Sequence, residues 1–376
     1  MMNEPTSRVR VAVVFGGRSD EHSISCATAA GVLAAIDHDR FEVVPIGITR
    51  TGRWVVAADD PQRWAIAEGG AVPEVTVGES AAVAIPLGDS PRDLVVSTAG
   101  EVPVALGAVD VVLPLLHGPF GEDGTVQGLF ELAGLPYVGS GVLASAAGMD
   151  KHYMKVVLAA AGLPVGPYEV ITPRQWRVDR ADALERVAGL GWPVFVKPAR
   201  AGSSIGITRV EGPDGLEAAV EQAQRHDPKV IVEAAIAGRE LECAVLEGHG
   251  DDPPRTTLPG EIVVTDTGHG FYDYEAKYFD ADGVTLAWPA SVPAEVASEL
   301  RELAAATFDA LGCEGLGRVD FFYTPAGELI VNEINTMPGF TPFSMYPMMW
   351  QRSGLAYPDL ITELIELALE RPTGLR

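Results

Sequence analysis

The chain predicts an α/β fold built in several units, with a parallel sheet at its N-terminal end. The first observation is the opening order. VRVAVVF (9–15) is an unbroken apolar run suited to a buried strand, a helical pattern follows to about Ile36, and FEVVPIGI (41–48) is a second strand. Two strands bridged by a helix lie parallel, because a tight hairpin cannot join them. The second observation is that strand and helix patterns start afresh beyond residue 150, which predicts a further unit. The third is size: 376 residues, 47% hydrophobic and 21% charged, are enough for two or three cores of ordinary globular composition.

Each element has a local reason. Gly16 and Gly17 end the first strand, and Ser19 and Asp20 are both good N-caps for the helix behind them. The stretch from about Asp59 to Leu106 is rich in Gly, Pro and Ala and has weak period, so loops and short strands are expected. DVVLPLL (110–116) is the next buried strand, followed by HGPFGEDGTVQG and the helix LFELAG. A boundary is placed near Gly139, giving a first unit over 1–139. The second unit, 140–236, holds a helix over 150–162, the strand YEVIT, the helix ADALERVAGLG and the strand PVFVKP. The loop ARAGSSIG then leads to the return strand ITRV, a helix over 214–225 and the strand KVIVEAAI. The third unit, 237–376, has the strand RELECAVLEG, a strand in EIVVTD, a long polar Gly- and Tyr-rich segment and the helix PAEVASELRELAAATFDALG. Val296, Leu300, Leu303, Ala304 and Phe308 share one face of that helix. A hairpin, RVDFFY and ELIVNEIN around a Pro-Ala-Gly turn, and the helix YPDLITELIELALE complete the chain.

Charge and cysteine usage narrow the function classes. With 27 basic residues against 52 acidic ones the net charge is −25, which argues against a nucleic-acid or anionic-membrane partner. A small phosphorylated ligand needs only a few placed cations and stays open. Cys26, Cys243 and Cys313 are widely spaced and odd in number, with neither a disulfide framework nor a zinc spacing, which suits a reducing cytosol. No apolar run approaches the ~20 residues of a membrane span, and the N-terminus lacks an apolar signal core.

The C-terminal hairpin carries the first chemical signal. With the register centred between Ala326 and Gly327, Asp320 faces Glu333, and Asn335 points to the same side. Three hard oxygen donors suit Mg²⁺, and Arg318 on the same face suits an anion beside it. On this pattern alone a solvated hairpin face is an equal account. The second signal is VKPARAGSSIG. Lys197 ends a strand, and Gly202, Ser203, Ser204 and Gly206 offer backbone N–H groups and hydroxyls that can fold over phosphates. A flexible turn is the alternative, and the lysine weighs against it. Neither the Gly-x4-Gly-Lys-Ser/Thr loop nor the Gly-x-Gly-x-x-Gly fingerprint is present.

Taken in order, GGRSDEHSIS, HGPFGEDGTVQG, GMDKHYMK, VKPARAGSSIG, VEAAIAGRELECAVL, YDYEAKY, GRVDFF and NEINTMPGFTPFS make the chain resemble the D-alanine–D-alanine ligases, a family of ATP-grasp carboxylate–amine ligases. The resemblance spans nearly the whole length. It implies a three-domain ATP-grasp architecture with ATP gripped between the second and third units. It implies phosphate contacts from Lys151, Lys197 and Lys277, with Ser203 and Ser204 in the loop above. Glu233, Ala234, Ala235 and Ile236 become the adenine hinge and Glu240 the ribose partner. Relatives often carry a bulky or charged residue after the hinge Glu, so the small Ala234 and Ala235 put side-chain roles there in doubt. Glu21 is implied to hold the ammonium of the first D-alanine, although a carboxylate at a helix start is also a plain dipole partner. His117 is implied to lie nearby in a binding role, although a lone His is more often structural, and Ser344 to meet the carboxylate of the second D-alanine. Tyr278 is implied to tie the polar segment, as a lid, to Ser203 and Glu21, and as a Tyr it favours an amine acceptor. Arg318 and the Gly339 N–H are implied to face the oxyanion.

The chemistry implied is activation of one D-alanine as an acyl phosphate and attack by the amine of a second, for peptidoglycan. Cofactors implied are ATP and two Mg²⁺ or Mn²⁺ ions on Asp320, Glu333 and Asn335, with K⁺ a further candidate. A cytoplasmic homodimer is expected. A ligase for D-lactate or D-serine is the runner-up. A nucleotide-binding regulator without catalysis is disfavoured, because Lys151, Lys197, Lys277, Arg318, Asp320, Glu333 and Asn335 are all present.

Overall fold

The computed structural model describes residues 8–66, 72–77, 81–87, 92–98, 102–202, 205–264, 284–372 and 374. Among them the strands form three sheets. The first contains β1 (Val9–Gly16), β2 (Phe41–Ile48), β3 (Trp54–Val56), β4 (Ala82–Ala84), β5 (Asp93–Ser97), β6 (Val104–Ala108) and β7 (Val111–Pro114), in the order β6-β5-β4-β3-β2-β1-β7. β1 runs parallel to both β2 and β7, as the helix His22–Ala35 between β1 and β2 requires. The Gly- and Pro-rich stretch extends this sheet as an antiparallel meander, β3 to β6. The helix is not capped as expected. Its preceding residue is Glu21, with no side-chain cap bond, and the Ser19 hydroxyl instead donates to the His117 carbonyl at 2.6 Å. A long-range partner thus outcompetes the local cap.

The second sheet, β10-β9-β11-β8, is antiparallel throughout: β8 (Tyr168–Ile171), β9 (Val194–Pro198), β10 (Thr208–Val210) and β11 (Val230–Ala234). Its strands alternate. Val194, Val196, Val230 and Val232 are wholly buried in the core with Val187 and Val220 of the covering helices. Phe195, Lys197 and Glu233 therefore point to the opposite face. The helix Lys151–Ala160 precedes this sheet, capped by Asp150, which accepts from the His152 and Tyr153 N–H groups. Before it lies the short helix Val142–Met149, whose small apolar residues gave no period to read.

The third sheet runs β15-β14-β12-β16-β17, with β13 also on β12. Its strands are β12 (Arg239–Leu246), β13 (Arg255–Thr256), β14 (Gly260–Val264), β15 (Val284–Ala287), β16 (Leu316–Tyr323) and β17 (Leu329–Asn335). The helix Ala294–Ala310 covers one face with Leu300, Ala304 and Phe308, against Leu241, Cys243, Val319 and Phe321. By period 2, Glu240, Glu242, Arg318 and Asp320 look the other way. The last helix, Tyr357–Glu370, shares a single core with the first sheet: Leu360, Ile361 and Leu364 lie with Val11, Val13 and Phe15.

Candidate active site

The site is a cleft of about 1170 Å³ into which the second and third sheets turn polar residues, while Glu21, His117 and Glu122 enter it from the first helix and the loop after β7. On its floor, β16 and β17 pair so that Asp320 faces Glu333 and Arg318 faces Asn335, the expected register. The route to that register is not the expected one. Nearer the turn, Phe321 pairs with Val331 and Tyr323 with Leu329, so a bulge at Asn332 intervenes. A straight ladder cannot bury Val331 against Phe321 and also set Glu333 beside Asp320. The bulge allows both.

The floor is dense in charge. Arg318 binds Asp320 through Nε–Oδ1 and Nη2–Oδ2, both at 2.7 Å, and Glu242 at 3.3 Å. Burial alone would lower the Arg318 pKa, but the charges of Asp320 and Glu242 outweigh it, so the guanidinium stays protonated. Asn335 donates from its Nδ2 to Asp320 Oδ2 at 3.2 Å. Two opposed carboxylates and a carboxamide fit a hard divalent cation, whose shell phosphate oxygens and water would complete. No group of three or more His, Cys, Asp or Glu able to hold a metal occurs among the described residues.

Cations of the other wall face this floor. Lys151 Nζ lies 3.3 Å from Glu333 and donates to the Ala201 carbonyl at 2.9 Å, linking the hairpin to the Gly/Ser loop. Lys197 on β9 meets Glu233 on β11 at 2.5 Å, and Lys155 meets the other Glu233 oxygen at 2.9 Å. Burial would raise the Glu233 carboxyl pKa, yet Lys197 and Lys155 drive it far below the usual range. Glu240, Ala234 and Ile236 line the same end of the cleft, and Ala235 does not.

At the other end, Glu21 enters from the start of the first helix, nearly buried, beside His117 and Glu122. Two loops close on its carboxylate. A Cβ at Gly118 would stand 2.5 Å from Glu21 Oε2, and one at Gly202 would stand 3.0 Å from it. His117 is buried, with Thr28 Oγ1 3.4 Å from Nε2 and Glu122 4.0 Å from Nδ1. Burial lowers its pKa against the charge of Glu21, so the ring is neutral. Burial, then the charge of Glu21, pushes the Glu122 carboxyl well above the usual range. Gly339 and Ser344 lie on the rim, and Ser344 Oγ accepts from the Thr341 N–H at 3.1 Å.

The cleft thus brings together Glu21, His117, Lys151, Lys197, Glu233, Ala234, Ile236, Glu240, Arg318, Asp320, Glu333, Asn335, Gly339 and Ser344. Ser203, Ser204, Lys277 and Tyr278 lie outside the described residues. Sequence reasoning missed Lys155, Glu122 and Glu242. Glu242 had a signal, since RELECAVL alternates and sets it on the face of Glu240. Lys155 and Glu122 stood inside quoted stretches, GMDKHYMK and HGPFGEDG, next to the residues singled out.

Comparison with known proteins agrees in extent. Residues 10–140 match the family model described as D-ala D-ala ligase N-terminus, and residues 157–366 match D-ala D-ala ligase C-terminus. The D-alanine--D-alanine ligase of Pseudarthrobacter chlorophenolicus is 60% identical over 375 residues, 99% of this chain and 98% of that one. That of Streptomyces coelicolor is 57% identical, over 98% of this chain and 95% of its own. Among solved structures, the VanG D-Ala:D-Ser ligase from Enterococcus faecalis superposes with a TM-score of 0.81 at 37% identity, covering 96% of this chain and 100% of that one. The D-alanine-D-alanine ligase from Coxiella burnetii gives 0.79 at 34%, covering 97% and 94%. The chain belongs to the D-alanine–D-alanine ligase family and has its ATP-grasp fold.

Proposed function

We infer that the protein joins two D-alanines into D-alanyl-D-alanine at the expense of ATP, supplying peptidoglycan synthesis. The observation that supports this best is one cleft with a carboxylate end at Glu21 and a cation-rich end at Lys151, Lys197 and Arg318. An amino acid has an ammonium to hold and a carboxylate to activate, and the two ends match those needs.

Glu21 takes the ammonium of the first D-alanine and directs its carboxylate toward Arg318. Lys151 and Lys197 hold the triphosphate, and the adenine rests along Glu233–Ile236 with the ribose on Glu240. Phosphoryl transfer makes the acyl phosphate. The neutral amine of the second D-alanine, oriented through Ser344, attacks the acyl carbon, and phosphate leaves. Arg318 and the Gly339 N–H stabilise the oxyanion, and losing one such donor typically costs ~10²–10³ in rate. Bound on Asp320, Glu333 and Asn335, Mg²⁺ or Mn²⁺ supplies charge neutralisation at the β- and γ-phosphates. Lys277, Tyr278, Ser203 and Ser204 are proposed to cover the site and exclude water from the acyl phosphate. We take the protein as a cytoplasmic homodimer; its three cysteines are free and buried, in keeping with a reducing compartment.

A D-serine acceptor is the second reading, favoured by the likeness to the VanG enzyme. Purified protein with ATP and Mg²⁺ should release ADP with D-alanine alone and not with L-alanine. The proposal fails if D-alanine drives no ADP release. A mixed D-alanyl-D-serine product outpacing the homodipeptide moves the assignment to the second reading. Replacing Mg²⁺ by Mn²⁺, and K⁺ by Na⁺, in the same assay settles the ion preference.

A further inference from the structure

Lys155 stands where the nucleotide end and the metal-binding hairpin meet. It is only 3% exposed, an unusual setting for a lysine. Its Nζ lies 2.9 Å from Glu233 Oε1 and 3.5 Å from the Asn332 carbonyl, and 5.9 Å from the centre of the Tyr168 ring. Asn332 is the bulged residue that sets Glu333 beside Asp320. One side chain therefore touches β11, at the proposed adenine hinge, and β17, at the proposed metal ligand.

Charge gives the contact a purpose. Lys197 is paired to Glu233 at 2.5 Å, and a phosphate can recruit Lys197 only if that pair loosens. Leaving a buried carboxylate without a partner is strongly unfavourable. A second cation fixed on the other oxygen of Glu233 removes the penalty, because Glu233 stays neutralised when Lys197 turns to the nucleotide.

Resting on the ligase reading above, we propose that Lys155 is a positioning residue for ATP. It acts as the standing counter-ion of Glu233, which frees Lys197 for phosphate, and as the anchor of the Asn332 bulge, which places Glu333.

The test uses the full chain and variants Lys155→Met, Lys155→Gln and Lys155→Arg. Nucleotide affinity is measured by calorimetry with ADP and Mg²⁺, and KM is measured separately for ATP and D-alanine. Lys155→Met should weaken ADP binding about tenfold, the scale of losing a charged partner, and raise KM for ATP alike while KM for D-alanine stays within about twofold. Lys155→Arg should recover most of the loss. Lys155→Gln, which keeps a donor but no charge, should fall between and carries the test if the Met variant does not fold. In a double-mutant cycle with Glu233→Gln, the two losses should be non-additive. ADP affinity unchanged in a folded Met or Gln variant overturns the proposal, as does an equal rise in both KM values or an additive cycle. If the native chain makes no ADP with D-alanine yet binds ADP, and the variants lose that binding, the ligase reading falls and the role of Lys155 stands.

Discussion

The site constrains the charge state of Glu122. It is buried, accepts from the Gly118 N–H at 2.6 Å and faces the Glu21 carboxylate. Burial first, then that like charge, raises its pKa well above the usual range, against the opposing pull of the Gly118 N–H and Lys151. The folded protein thus binds a proton at Glu122 that the unfolded chain releases. Below the ordinary carboxyl pKa both states hold the proton and nothing is lost. As pH rises toward the folded pKa, ionisation favours the unfolded chain and stability declines. Glu122→Gln should therefore melt like the native protein near pH 4.5 and several degrees higher at pH 8, each pKa unit being worth ~1.4 kcal/mol. Melting curves at both pH values check this, and a gap that does not widen with pH refutes it. Residue chemistry was largely legible in the chain. Asp320 meets Glu333 and Arg318 meets Asn335 in the register supposed from the sequence, although only through an unforeseen bulge. Glu122 and Lys155 were not singled out, because a burial-driven pairing leaves no local pattern.

Loops and strands show where pattern reading loses ground. The apolar, inward residues of β17 are Leu329, Val331 and Ile334, a step of two and then of three. That broken period is the written trace of the bulge, yet a straight hairpin explains the same residues until Phe321 claims Val331. The longer strands of the three sheets follow from composition and period, while the short β3 to β6, β13 and β15 left no period to read, and the Ser19 cap fails because its hydroxyl has a distant carbonyl to satisfy. The loop HGPFG is set by close approach. Gly118 has φ +73° and lies against Glu21, so only a residue lacking Cβ combines that backbone with that contact. Gly118→Ala should cost ~1–2 kcal/mol in backbone strain. It should also displace the Glu21 carboxylate, raising KM for D-alanine about tenfold with ADP affinity unchanged. Steady-state kinetics and ADP calorimetry on the one variant distinguish this from general damage, which would weaken both.

At the scale of the molecule, the function proposed needs Glu21, at the start of the helix after β1, to keep its distance from the hairpin of the third sheet. A single side chain near the C-terminal end secures part of that distance. Arg371, 9% exposed at its side chain, donates from Nη1 to the Gly139 carbonyl at 3.0 Å and from Nη2 to the Tyr137 carbonyl at 3.3 Å. On its other side it pairs with Glu314 at 3.2 Å and approaches Glu247 at 3.9 Å. The carbonyls belong to the end of the first unit, and the glutamates flank the third sheet. Ser140 reinforces the seam by accepting from the Glu314 N–H at 3.2 Å. No amphipathic pattern announces such a contact, since residues 232 and 234 apart in sequence meet through it. Arg371→Met keeps the apolar stem and removes the charge, taking the cation from Glu314 and the donors from the Gly139 and Tyr137 carbonyls. Losing the donors and the charge of this half-buried clamp should cost ~1–3 kcal/mol, so the thermal midpoint should drop by a few degrees. Because Arg371 does not line the cleft, kcat at 25 °C should hold within about twofold while the fold persists. Scanning calorimetry and a turnover assay on the same preparation decide the matter: an unchanged midpoint shows that the shared core of Val11, Phe15, Leu360 and Leu364 holds the two units together without the clamp.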